Sequence, residues 1–121
     1  MTKFVDSNIF IRRWDDKHVE DFIDSIEFGE YCTSVLVLSE VHHKLSKKNI
    51  KGAFKYIRNL MGSLVVHDFV KGDIFNAMKN PCNIGINDKI HIEIMKRNNI
   101  NTIISYDKDF DQVKTIKREE P

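Results

Sequence analysis

The 121-residue chain is poor in several residue types, and each shortage excludes something. It has two cysteines, Cys32 and Cys82, far apart and in no CxxC arrangement. They cannot form a metal knuckle by themselves and read as two reduced thiols. There are five glycines, and no glycine-rich loop follows any candidate strand, which excludes a dinucleotide cradle. The two prolines, Pro81 and Pro121, mark no linker, and the chain has neither repeats nor low-complexity segments. Residues 1–121 are therefore expected to form one domain of ordinary size. The longest aliphatic run, Val35 to Leu38, is far too short to span a bilayer. Asp6, Arg12 and Arg13 interrupt any apolar segment at the start, so no signal peptide is expected. The expectation is a cytoplasmic protein with no membrane partner. A net charge of +1 with 31% charged residues neither announces nor excludes a nucleic-acid partner, since a local basic stripe can serve.

Hydrophobic residues make up 41%, and they fall in short runs alternating with helical patterns. Candidate strands are Lys3 to Asp6, Tyr31 to Ser34, Leu64 to His67 and Thr102 to Tyr106, with Val113 to Ile116 as a fifth. Three helix faces are marked by Val19, Phe22, Ile23 and Ile26, by Ile50, Ala53, Phe54, Ile57 and Leu60, and by Val70, Ile74, Ala77 and Met78. Helices between single buried strands imply an α/β three-layer sandwich around a parallel sheet of four or five strands. The last residues, "KREEP", are expected to fray.

In such folds ligands sit at the carboxyl ends of the strands. "VDSNIFIRR" ends its strand on Asp6, where a buried lone carboxylate costs several kcal/mol or is neutralised. "TIISYDKDF" runs from Ser105 into Asp107 and Asp109. One strand-end Asp is commonly a turn residue or a helix N-cap; two on neighbouring strands suggest a shared site. In "GINDKIHIEIMKRNN", read as a helix, Asp88 and His91 fall away from the charged stripe Lys89, Glu93, Lys96 and Arg97. Asn87 or Asp88 is expected to cap this helix, and His91 to pack in the core. In "SVLVLSEVHHKL", Glu40 lies on the more polar side with Lys44 at i+4, which by itself reads as an exposed ion pair.

Together these stretches resemble the PIN-domain ribonuclease family, and especially the VapC-type toxins of toxin–antitoxin pairs. The order and approximate spacing of all four motifs hold over nearly the whole chain: "VDSNIFIRR", "TSVLVLSEV", "INDKIHIEI" and "TIISYDKDF". The resemblance implies that Asp6, Glu40, Asp88 and Asp107 are the catalytic acids and hold Mg2+ or Mn2+. It places the Ser7 and Ser105 hydroxyls near the site as contacts to the substrate, Asn8 as the brace of the first loop, and Asp109 as a supporting acid. It also implies an RNA substrate, a homodimer and a small antitoxin partner. Lys89 departs from the pattern, which often has a small residue there.

Oxygen-only ligands suit hard ions, and no Cys/His pattern suggests structural zinc. Such an ion would support in-line hydrolysis of a phosphodiester. Arg12 and Arg13 leave the Asp6 segment within reach of a phosphate. Lys44, Lys47, Lys48, Lys51, Lys55 and Arg58 form a second basic group, with Lys51, Lys55 and Arg58 on one helical stripe; most such stripes are solvated faces. A haloacid-dehalogenase-type phosphotransferase needs a second Asp where Asn8 stands. An RNA-processing nuclease outside a toxin system, and a non-catalytic PIN-like binding module, stay open.

Overall fold

In the computed structural model, which describes residues 2–121, five strands form one parallel sheet in the order β3-β2-β1-β4-β5. They are β1 (Lys3–Val5), β2 (Tyr31–Ser34), β3 (Val65–His67), β4 (Thr102–Ile104) and β5 (Lys117–Glu119). The helices are α1 (Ser7–Ile11), α2 (Lys17–Asp24), α3 (Val35–Lys47), α4 (Ala53–Ser63), α5 (Lys71–Lys79) and α6 (Ile86–Arg97). The chain steps outward from β1 through β2 to β3, then crosses back to β4 and on to β5. Right-handed crossovers therefore put α1 to α4 on one face and α5 and α6 on the other. The packing agrees: α3 contacts α1 and α4, while α5 contacts α6. The strand order reverses between β1 and β4, and this is where a doubly wound sheet opens a crevice.

The central strands are buried on both faces, which is why they read as continuous apolar runs. Phe4, Val5, Ile103 and Ile104 form the middle of the core, with Ile9 and Phe10 of α1 and Ile92, Ile94 and Met95 of α6 against them.

Four sequence expectations need correction. The fifth strand is not Val113 to Ile116 but Lys117–Glu119, inside the stretch expected to fray. Its ladder with β4 runs from Thr102 and Lys117 to Ile104 and Glu119. Its side chains are tied by Glu119 to Lys3 at 2.8 Å and by Arg118 Nη1 to the Ser105 carbonyl at 3.0 Å. An edge strand needs no apolar alternation when its backbone ladder and ion pairs hold it. Second, the α5 face is turned: Val70, Ile74 and Met78 are exposed, while Asp73 and Ala77, one turn apart, face inward. Third, Lys51 precedes α4 and so shares no helical stripe with Lys55 and Arg58. Fourth, α6 starts from Gly85 with no side-chain cap, leaving Asp88 inside the first turn rather than capping it.

Candidate functional site

Asp6 extends the β1–β4 pairing by donating its N–H to the Ile104 carbonyl at 3.0 Å, and then caps α1. Its side chain is only 4% exposed. Oδ1 accepts from the Ser7 N–H at 2.8 Å, and Oδ2 accepts from Ser105 Oγ at 2.8 Å and Asn8 Nδ2 at 3.0 Å. Asn8 also donates to Ser105 Oγ at 2.9 Å, and its Oδ1 accepts from the Tyr106 N–H at 3.1 Å. Ser105 Oγ accepts from the Asp107 N–H at 3.0 Å, and Asp107 Oδ1 accepts from the Asp109 N–H at 2.9 Å. One network thus knits the loop after β1 to the loop after β4. Ser105 is fully buried, so its hydroxyl positions Asp6 rather than meeting a substrate, contrary to the expectation from sequence.

Glu40 comes from the middle of α3. It makes no pair with Lys44; Oε1 accepts from His91 Nε2 at 3.0 Å and Oε2 from Asn87 Nδ2 at 3.1 Å, both on α6. His91 is 1% exposed and also lies 3.9 Å from Asp6 Oδ1. It is a core histidine, as its apolar neighbours suggested, but it sits in the acid cluster. Sequence reasoning left it out of the site, although its i+3 spacing from Asp88 placed both on one helix face.

The acids fall into two adjoining groups. Donor atoms of Asp6, Glu40 and His91 all lie within 4.8 Å of one another, and so do those of Asp88, Asp107 and Asp109. Asp88 links them. Its pKa is pushed up to about 6, first by burial, then by the charge of Asp6, with Asp107 and Glu40 adding and His91 opposing. Burial likewise raises the Asp6 pKa, against the pull of His91, Ser105 and the Ser7 N–H. Burial also opposes ionised Glu40, but the bonds from His91 and Asn87 outweigh it and leave its pKa below the usual range. Two ionised carboxylates about 5 Å apart repel by roughly 3 kcal/mol at an effective dielectric near 20. A set of oxygen donors crowded to this degree fits a hard divalent cation, which removes that repulsion.

The two arginines part company. Arg13 is 3.7 Å from Glu20 and 3.5 Å from Asp24, and lies over the rings of Trp14 and Tyr56, so it is committed to its own surface. Arg12 is exposed and stacks on Tyr106, 4.1 Å from the ring centroid, and no ion pair engages it among the described residues.

The sequence profile of the PIN domain matches residues 3–116. The chain belongs to the PIN domain family. Comparison with curated proteins gives no match. Solved structures superpose over almost the whole chain. The VapC20 toxin of Mycobacterium tuberculosis, described as cleaving the sarcin–ricin loop, is 16% identical, with a TM-score of 0.77 over 99% of this chain and 100% of its own. The DNA-bound VapBC of Salmonella typhimurium gives 14%, 0.74, 99% and 98% in the same terms. FitAcB of Neisseria gonorrhoeae gives 16%, 0.72, 99% and 98%. At such identities these likenesses establish a shared PIN fold, with the five-stranded parallel sheet between two helical layers.

Proposed function

We propose that this PIN domain is a metal-dependent endoribonuclease that hydrolyses RNA phosphodiester bonds, acting within residues 1–121 as one cytoplasmic domain. The observation that carries this reading is the convergence of acids in two adjoining groups, with Asp88 between them pushed up to about pKa 6 by burial first and then by the charge of its neighbours. Structural frameworks seldom crowd carboxylates in this way, whereas perturbed acids cluster at functional sites. Asp6, Glu40, Asp88 and Asp107 would hold Mg2+ or Mn2+, with Asp109 beside them. Bound there, such an ion supplies water activation and charge neutralisation at the scissile phosphate.

The chain's own residues do the rest. Asn8 and Ser105 lock the Asp6 carboxylate in one orientation. Asn87 fixes the far oxygen of Glu40. Arg12, stacked on Tyr106, offers its guanidinium edge to a flanking phosphate. Full-length coverage of the VapC20 and VapBC folds supports a toxin role, with a second copy and a small antitoxin as partners. Two exposed apolar faces are suited to them. One is a groove of about 300 Å3 between α3 and α4, lined by Leu38, Phe54, Ile57 and Met61; the other is the Ile74, Phe75 and Met78 face of α5. No helix among the described residues is long and apolar enough to cross a membrane.

The test is cleavage of a structured RNA with MnCl2 or MgCl2 present or chelated. Asp6→Asn should lower the rate at least about a hundredfold with the fold intact. Undiminished cleavage by Asp6→Asn, or cleavage in excess chelator, would overturn the reading.

A further inference from the structure

His91 stands where an ion shared by Asp6 and Glu40 would be expected to bind. Nε2 is 3.0 Å from Glu40 Oε1 and 3.9 Å from Asp6 Oδ1. The ring belongs to α6, Asp6 follows β1 and Glu40 belongs to α3, so three elements meet at this one nitrogen. The other ring nitrogen has no such company: Nδ1 is buried with no hydrogen-bond partner among the described residues, and the ring packs against Phe4 with centroids 5.9 Å apart.

We propose that His91 is a positioning residue that holds Asp6 and Glu40 together before metal arrives, and that it yields the gap to the ion instead of ligating it. The proposal rests on the metal-dependent reading above. A histidine that ligates through one nitrogen donates the N–H of the other to a carboxylate, a carbonyl or water. If Nε2 were to ligate, the proton would have to sit on Nδ1, where no acceptor among the described residues meets it. The proton therefore belongs on Nε2, which makes His91 a donor to Glu40 rather than a lone pair for a metal. The ion is left with oxygen ligands alone, the donor set of Mg2+ and Mn2+.

Two measurements on the full chain decide it. In 15N spectra of the histidine rings, His91 Nε2 should carry its proton without metal and keep it when saturated with MgCl2. Loss of that proton on loading would overturn the proposal. Calorimetric titration with MnCl2 should show His91→Leu binding about tenfold more tightly than the unmodified protein, since a bond to a charged group no longer has to be broken. Its metal-free melting temperature should fall by roughly 4 °C or more. His91→Gln, whose amide can donate to Glu40, should restore both towards their original values. Looser binding by His91→Leu overturns the proposal alone. Absence of Mn2+ binding in all three proteins overturns the metal-dependent reading and takes this proposal with it. If His91→Leu does not fold, the ring spectra of the unmodified protein decide.

Discussion

Two places in this molecule bury carboxylates, and they treat them in opposite ways. At the α5–α6 contact, Asp73 is 2% exposed and fully answered: Arg97 donates to both oxygens at 3.0 and 2.9 Å, and the Val70 N–H donates at 2.9 Å. Burial works against the charge of Asp73, but Arg97 and the Val70 N–H outweigh it, and its pKa is lowered. At the carboxyl edge of β1 and β4, Asp6, Glu40 and Asp88 share a single histidine, and Asp88 is pushed up to about 6. The first arrangement is finished and holds two helices together. The second leaves its acids with too few positive partners of their own. The two places differ in the completeness of their charge partners more than in burial itself.

Breaking the finished pair gives the largest effect on stability. Arg97→Leu strands Asp73 as a buried charge and should lower the free energy of unfolding by about 3 kcal/mol in denaturant titrations. Removing a charge from the crowded cluster should act the other way. Asp88 has a raised pKa, so its contribution to stability is present in acid and is lost as the pH rises through about 6. The metal-free protein should therefore be less stable than Asp88→Asn at pH 7, by on the order of 2 kcal/mol, and the two should converge near pH 4. Saturating MnCl2 should favour the unmodified protein instead. Convergence at pH 7 in metal-free buffer would mean that the acids do not press on one another. The smallest contrast is between the arginines. Arg13→Ala should cost about 1 kcal/mol of stability, through its ion pairs and ring contacts. Arg12→Ala should weaken RNA binding and reduce the salt slope by about one.

The sequence is legible where a residue's environment is set by its own segment. The strand Tyr31–Ser34 is legible to the residue, because its buried run passes directly into the cap of α3. The loop after β1 was read correctly as an acid at a strand end, since Asp6 interrupts an apolar run. Legibility fails where a distant element does the work. Nothing in "KREEP" announces a strand; the ladder with β4, the Ser105 carbonyl and Lys3 make one of it. Glu40 looked like half of an exposed pair because its partners, Asn87 and His91, are about fifty residues away. Periodicity put His91 in the core and was right; that the core there is lined with carboxylates is a tertiary fact. The α5 face was misjudged for the same reason, since Arg97 draws Asp73 inward and turns the apolar residues out.

The bond from Ser105 to Asp6 joins residues 99 positions apart. The acids themselves are drawn from the loop after the first strand, two helices and the loop after the fourth strand. While the chain is being made, the early half can fold its helices but cannot own the site, because long-range pairing comes late and the β4 loop has not yet been synthesised. If the chain cleaves RNA as proposed, it stays inert until the β4 loop has been made and paired with the start of the chain.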